Sequence, residues 1–310
     1  MVQVMRALRV SRFGGPEVIK MRQIECPVPQ VGEVLVRVRA AALNPADWKL
    51  SAGLFQSPMI TLPFTPGFDV AGVVEEIGPN VTGFQRGQAV IGWTRRGSFA
   101  EYTVVPAGVL AVAPANASFG EAATIPTGAS TAWQGLFDNG NLQAGQRVLV
   151  QGAAGGVGQF AVRLAKWKDA YVIGTASTSN VELVRALGAD EVIDYTATRI
   201  EDAVHDVDLV FDTVGDATLA SSVQAVKRGG TLVTIAGMPS EEKVQEHGIN
   251  VKSFGVVVTS DLLQNFSQMV DDGALRLLVG ATFHLEDASR AYELCQGGHG
   301  RGRIVFTVSK

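Results

Sequence analysis

Cysteine and histidine are scarce in this chain. Two cysteines, Cys26 and Cys295, and four histidines, His205, His247, His284 and His299, are spread over 310 residues. Cysteines so far apart make no disulfide framework, and a reducing compartment is the simpler expectation. There is no C-x-x-C and no histidine pair at zinc-ligand spacing, so no metal site is expected. Basic clusters are lacking too. Lysine and arginine number 26 against 30 acids, a net charge of −4, which argues against a dedicated nucleic-acid binder. No run approaches the ~20 apolar residues of a membrane span. Arg6 and Arg9 stand near the start without a long apolar stretch, so no secretory signal is expected. With 46% hydrophobic and 18% charged residues, the expectation is a soluble, cytoplasmic, globular protein.

Glycine, by contrast, is abundant: 35 residues, above the usual share of ~7%. Through the first 125 residues or so it separates short strands. Val34, Val36 and Val38 alternate with Leu35, Arg37 and Arg39, and Asp69 to Ile77 ends at Gly78-Pro79-Asn80. Many short strands with such breaks predict a barrel or sandwich. Near Pro126 the pattern changes. Strands at Arg147–Gln151, Tyr171–Thr175, Glu191–Tyr195, Asp208–Val214, Thr231–Gly237 and Lys252–Thr259 alternate with helical stretches such as Phe160–Lys168 and Val181–Leu187. That alternation predicts a doubly wound parallel sheet. Two helices, Leu262–Asp271 and Leu285–Cys295, and a strand, Arg303–Val308, are expected to follow. The fold class is therefore α/β.

Between the first of those strands and its helix stands Gln151-Gly152-Ala153-Ala154-Gly155-Gly156-Val157-Gly158. Read from Ala153 it is A-x-G-x-x-G. Gly155 or Gly156 lets the backbone approach a pyrophosphate, and Gly158 lets helix and strand pack closely. The helix N-terminus offers N–H groups and partial positive charge to the phosphates. The strand–helix context is what gives this short motif its meaning. An NAD site usually places an acid ~20 residues on, to hold the ribose 2′-OH. Here the second strand leads into Ser177, Thr178, Ser179 and Asn180 with no acid. Those side chains can donate to a 2′-phosphate, so NADP is favoured over NAD. The same residues also suit an ordinary helix cap. No Lys or Arg stands in the segment, which leaves the strength of the preference open.

Longer stretches carry a resemblance. They are Asn44-Pro45-Ala46-Asp47-Trp48-Lys49, Pro66 to Gly72, Gly97-Ser98-Phe99-Ala100-Glu101-Tyr102, Thr131-Ala132-Trp133, Ala153 to Gly158, Leu187 to Asp190 and Gly300 to Val305. Together they resemble the medium-chain dehydrogenase/reductase superfamily over nearly the whole chain. The match is closest to its zinc-free branch of quinone oxidoreductases (ζ-crystallin-like) and enone or alkenal reductases. The resemblance implies a GroES-like β-barrel catalytic domain (1–125 and 260–310) and a Rossmann dinucleotide-binding domain (126–259). Zinc-dependent relatives carry a cysteine near position 44, Gly-His-Glu near 67–69, and a four-cysteine lobe. This chain has Asn44 and Gly67-Phe68-Asp69, and passes from Val90 to Ser98 without a cysteine. Both zinc sites are missing.

The resemblance implies NADPH as cofactor and assigns residues to it. Lys49 faces the nicotinamide end and the substrate, and Thr131 lines the nicotinamide pocket. Gly155, Gly156 and Val157 belong to the pyrophosphate loop. Ser177, Thr178, Ser179 and Asn180 take the 2′-phosphate, with Tyr195 near it. Val214, Ile235, Phe254, Gly255, Val256, Gly300 and Arg301 are further cofactor contacts. The implied reaction is hydride transfer to the activated double bond of an enone or alkenal, or to a quinone, as the small-molecule substrate. A donor beside the carbonyl oxygen would stabilise the growing enolate, typically by ~3 kcal/mol. Lys49 is the catalytic candidate; its other reading is a solvated surface lysine. No side chain stands out as acid for the α-carbon, so water would supply that proton.

Trp48 and Phe55 are expected either to shape an apolar pocket or to be ordinary core; Leu54 and Met59 are not placed by motif. Asp47 and Asp69 are expected to be structural, His284 packed or superficial, and Arg95-Arg96 a solvated loop. A homodimer is expected through the valine-rich strand 255–259. A reading of another kind is a non-catalytic NADPH-binding protein, structural or RNA-binding, as in some ζ-crystallin-like proteins. The acidic charge balance weighs against it.

Overall fold

The computed structural model describes residues 3–54, 61–216, 218–298 and 300–308. The chain divides into two compact units. The first comprises Met1–Thr127, Val258–His299 and Arg303–Lys310; the second comprises Gly128–Val257 and Gly300–Gly302. Strands β1 (Val4–Val10), β2 (Ile19–Glu25), β3 (Glu33–Leu43), β4 (Asp69–Ile77), β5 (Ala89–Trp93), β6 (Tyr102–Pro106) and β7 (Leu110–Val112) belong to the first unit. The second holds β8 (Arg147–Gln151), β9 (Tyr171–Ala176), β10 (Glu191–Asp194), β11 (Val207–Asp212), β12 (Val226–Thr234) and β13 (Asn250–Ser253). The chain then returns to the first unit with β14 (Val279–His284) and β15 (Arg303–Thr307).

In the first unit a seven-stranded sheet runs β14-β15-β3-β4-β5-β7, with β6 also on β3, and β1 pairs with β2. All these pairings are antiparallel except β14 with β15. Strand β3 is long enough to serve three partners. Its first half pairs with β6, its last four residues pair with β15, and β4 runs along it, with two register shifts. Leu35, expected on the open face, is buried together with Val34, Val36 and Val38. The core gathers these valines with Val70, Leu110, Phe99, Phe306 and Tyr292. Phe99 stands edge-on to Phe306 at 4.8 Å and to Tyr292 at 6.4 Å.

The second unit is a six-stranded sheet, all parallel, in the order β10-β9-β8-β11-β12-β13. The order reverses between β8 and β11, which is where such sheets bind ligands, beyond the carboxyl ends of the strands. The central strands β8, β9 and β11 are short apolar runs almost wholly buried, as the middle of a parallel sheet requires. Leu149, Ile173, Val210, Val223 and Leu232 form much of the core.

Two details differ from the periodicity reading. The last strand covers only Asn250–Ser253, and residues 254–259 lie outside any strand. Within the chain, residues 254–259 pair with no other strand, and both backbone groups of Val257 are bonded to the side chain of Gln134. The sequence reading also missed β14, whose His284 is exposed and bonded to Thr307.

Candidate functional site

The glycine loop follows β8 and leads into a helix at Gly158–Trp167. Gly152 adopts φ +70°, which favours glycine, and turns the chain off the strand. A Cβ on Gly158 would lie 2.1 Å from the Gly152 carbonyl oxygen and 2.8 Å from Ala153 Cα. Only glycine lets this helix start so close to the strand. A Cβ on Gly155 would meet just one atom, Gly152 O at 3.2 Å, so the loop is open over its crest. Gly155, Gly156 and Val157 are all partly exposed there. The helix start leaves backbone N–H groups for an anion.

Beneath the loop lies a buried polar network that sequence reading did not find. Thr175 Oγ1 donates to Gln151 Oε1 at 2.9 Å and accepts from Gly152 N at 3.0 Å. Gln151 Nε2 donates to Ser222 Oγ, and Ser222 Oγ donates to Asp212 Oδ2. Asp212 Oδ1 accepts from the N–H groups of Val214 and Gly215, both at 2.9 Å. These buried polar residues tie together the carboxyl ends of β8, β9 and β11 and fix the backbone at Val214. Gln151, Asp212 and Ser222 are ordinary residue types at unremarkable spacing, so only the sheet order reveals them.

The residues picked as cofactor contacts fall at one edge of this sheet. Val157 and the two glycines follow β8, and Ser177 to Asn180 follow β9. Tyr195 follows β10, Val214 follows β11, Ile235 follows β12, and Phe254 to Val256 follow β13. Thr131 is buried on the helix Ile125–Trp133 of the same chain region.

Ser177 to Asn180 form one tight turn. Asn180 Nδ2 donates to Ser177 Oγ and to the Gly300 carbonyl, both at 3.1 Å. Arg301 then lies against the turn, donating from Nε to Asn180 Oδ1 at 3.2 Å and from a terminal nitrogen to Ser179 O at 3.3 Å. The positive charge missing from the segment thus comes from over 120 residues away. An acid arrives as well. Thr178 Oγ1 donates to Asp194 Oδ2 at 2.6 Å, and Thr196 also bonds Asp194. Hydrogen bonds from Thr178 and Thr196 hold the Asp194 carboxyl below its ordinary range.

Lys49 belongs to the first unit, on the helix Pro45–Ser51. It is exposed, with Nζ 5.8 Å from the Trp48 ring centre, and no carboxylate among the described residues pairs with it. Asp47, two residues earlier, is wholly buried. Its Oδ2 accepts from Asn44 N at 2.7 Å and its Oδ1 from Gly67 N at 3.1 Å. It caps the Lys49 helix and fastens it to the loop before β4. Burial, opposed by these N–H donors, pushes its carboxyl up to about 7. Phe55 and Met59 lie outside the described residues.

Asn44 and Asp69 stand where zinc-dependent enzymes of this resemblance carry metal ligands, and here they are otherwise engaged. Asp69 Oδ2 accepts from Arg303 at 2.5 Å and from Asn44 Nδ2 at 3.1 Å, while its Oδ1 accepts from Thr127 N at 3.0 Å. Asn44 Oδ1 accepts from Arg303 at 2.7 Å. A buried guanidinium already supplies the positive charge, and a divalent ion beside it would be repelled. Phe68, the third position, stacks on Trp93 at 5.5 Å. These residues do not fit zinc. Among the described residues no cluster of three or more His, Cys, Asp or Glu could hold a metal. Cys295 is buried and its thiol is pushed up to about 12, mainly by that burial, so it is no nucleophile at neutral pH.

Two family descriptions match the chain: an alcohol dehydrogenase GroES-like domain over residues 30–115, and a zinc-binding dehydrogenase domain over residues 187–306. An NADPH-dependent alkenal/one oxidoreductase of Arabidopsis thaliana chloroplasts is 36% identical, over 97% of this chain and 79% of that one. A quinone oxidoreductase of Mus musculus is 31% identical, over 99% of this chain and 98% of that one. Among solved structures, the quinone oxidoreductase of Coxiella burnetii superposes with a TM-score of 0.91 at 30% identity, over 99% of this chain and all of that one. No helix among the described residues is long and apolar enough to cross a membrane. On this similarity the chain belongs to the medium-chain dehydrogenase/reductase superfamily, alongside quinone oxidoreductases and alkenal/enone reductases, and it is an oxidoreductase of nicotinamide dinucleotide type.

Proposed function

We propose that this protein is a zinc-independent, NADPH-dependent reductase of enones, alkenals or quinones. The observation that carries the reading is the alignment of candidate contacts at the carboxyl ends of all six parallel strands, with the open glycine loop at their centre. That edge is where doubly wound sheets hold dinucleotides. The loop and the helix at Gly158 would bind the pyrophosphate. Ser177, Ser179 and Asn180, with Arg301 beside them, would bind the adenosine 2′-phosphate through charge-assisted hydrogen bonds. Asp194 opposes that charge, which makes the preference for NADPH over NADH moderate.

When bound, NADPH supplies the hydride. The chain's own part is to orient and to stabilise charge. Lys49 is exposed and without a carboxylate partner among the described residues. Its ammonium is free to donate to a carbonyl oxygen on which negative charge grows. Asp47, by capping its helix, would hold Lys49 in place. With Asn44 and Asp69 engaged by Arg303, oxidation through a zinc alkoxide has no support here. The two cysteines are free, in keeping with a reducing cytoplasm. We also propose a homodimer through the valine-rich residues 255–259, which follow β13, the outermost strand of the sheet.

The test is a substrate panel. With NADPH, a 2-alkenal, a cyclic enone and a small quinone are compared with saturated aldehydes. Reduction of an activated double bond or of the quinone is expected. Turnover restricted to saturated aldehydes would overturn the reading. Sedimentation at micromolar concentration checks the dimer, and a monomer would remove it.

A further inference from the structure

The six-stranded sheet has two halves, each suited to one mononucleotide. The half with β8, β9 and β10 carries the glycine loop and the Ser177–Asn180 turn. The other half ends in three loops, at Val214, Ile235 and 254–256. The first is held by Asp212, and the second by Ile235 N donating to Asp212 O. The third follows β13, the outermost strand of the sheet in this chain, and pairs with no other strand of it.

Gln134 holds this third loop. Its Nε2 donates to Val257 O at 2.5 Å, and its Oε1 accepts from Val257 N at 3.1 Å. One side-chain amide thus makes the reciprocal pair of bonds that a neighbouring strand would make. Gln134 is 8% exposed, so water does not readily replace it. Its own backbone is set by a π-helical turn, Gln134–Asn139, that continues the helix Ile125–Trp133. Asn139 Nδ2 donates to Gln134 O at 3.0 Å. Gly135 has no room for a Cβ, which would stand 2.4 Å from the Phe211 ring, so the turn is seated tightly on β11. Thr131 lies three residues before Gln134, on the same side of the helix.

We propose that Gln134 is a positioning residue for the nicotinamide half of the cofactor site. It clips Val257 to the helix bearing Thr131 and so sets Phe254, Gly255 and Val256 against that helix. This rests on the reading of the sheet edge as an NADPH site. The amide must both donate and accept, and no apolar side chain of similar size can do either. A glutamate would keep only the acceptor while ionised and would regain the donor once protonated.

Binding is the readout, with two probes. NADPH occupies both halves, whereas 2′,5′-ADP occupies only the adenosine half. In Gln134→Leu, NADPH affinity by fluorescence titration is expected to fall about tenfold, the scale of losing a buried hydrogen-bonded pair. The affinity for 2′,5′-ADP should stay within twofold of wild type. Deuterium uptake in 254–259 should rise in the same variant. In Gln134→Glu, NADPH affinity relative to wild type should recover as pH is lowered from 8 to 6. Equal loss for both probes would mean general loosening and would overturn the proposal, as would unchanged NADPH affinity in Gln134→Leu. If the wild-type protein binds 2′,5′-ADP but gains nothing from the nicotinamide half, the cofactor reading of 254–256 falls and takes this role of Gln134 with it.

Discussion

Arg301 shows how one side chain changes a specificity argument. The segment Ser177–Asn180 contains no cation, yet Arg301 bonds both Ser179 and Asn180. Arg301→Ala is expected to raise the KM for NADPH about tenfold, the usual scale for a charged phosphate contact, with NADH little changed. Equal effects on both cofactors would place Arg301 elsewhere. Asp194 is expected to act in the opposite sense. Asp194→Asn should tighten NADPH a few-fold and leave NADH unaffected, measured as the ratio of the two dissociation constants, because removing an exposed like charge has only a modest effect. Lys49→Ala is expected to lower kcat by about a hundredfold, the scale of one lost oxyanion donor, with circular dichroism and melting unchanged. Unaltered kinetics would return Lys49 to the solvated surface.

At the scale of elements, the glycine loop and its helix were legible because their constraint is local. A strand, a tight turn and a helix start require small residues at fixed spacing, and Gly158 shows why. Its Cβ would strike backbone atoms of Gly152 and Ala153, which cannot rotate aside. Gly158→Ala should therefore displace the helix start and cost NADPH affinity more than tenfold, by titration, since the N–H groups proposed to bind the phosphates would move with it. The strand expected at 252–259 is seen within the chain only as β13, Asn250–Ser253, because a strand needs a backbone partner and beyond it Val257 bonds the Gln134 side chain. The helix at Pro45–Ser51 escaped the periodicity reading because it is short. It is held by Asn44 and Asp47 in a reciprocal cap and not by an apolar face alone.

For the molecule as a whole, two buried carboxylates govern the response to metal and pH. Asp69 is wholly engaged with Arg303, Asn44 and Thr127. Arg303→Met should destabilise the fold by about 3–5 kcal/mol in urea denaturation, since it leaves a buried carboxylate uncompensated. Wild-type protein should carry no stoichiometric zinc on elemental analysis and keep its activity after dialysis against a chelator. Asp47 sets a pH dependence. Its folded carboxyl titrates at about 7, above the ordinary value of 3.8, chiefly through burial. The folded state therefore holds this proton more tightly than the unfolded chain. Stability from this group is full below about pH 4, declines as pH rises toward 7, and is flat above that. The total loss is on the order of 4 kcal/mol. Urea midpoints measured from pH 5 to pH 8 should fall with rising pH. A midpoint rising across that range would contradict the assignment of the proton to Asp47.

The opening scarcity of cysteine and histidine already argued against a zinc site, because the thiol and imidazole donors that such sites use most are few and far apart in the chain. The glycine loop and the strand–helix alternation likewise settled a dinucleotide-binding sheet, since those patterns are enforced by contacts within a few residues. What the sequence left open was everything that depends on residues far apart in the chain. Arg301 meets Ser179, Asp194 meets Thr178, Arg303 meets Asp69, and Gln134 meets Val257 only after the sheets have set their strand order. Charge and hydrogen bonding act over a few ångströms of space, whatever the separation along the chain. The placing of Arg301 and Asp194 beside Ser177–Asn180, the engagement of Asn44 and Asp69 by Arg303 and the clip on Val257 were therefore decided by tertiary structure.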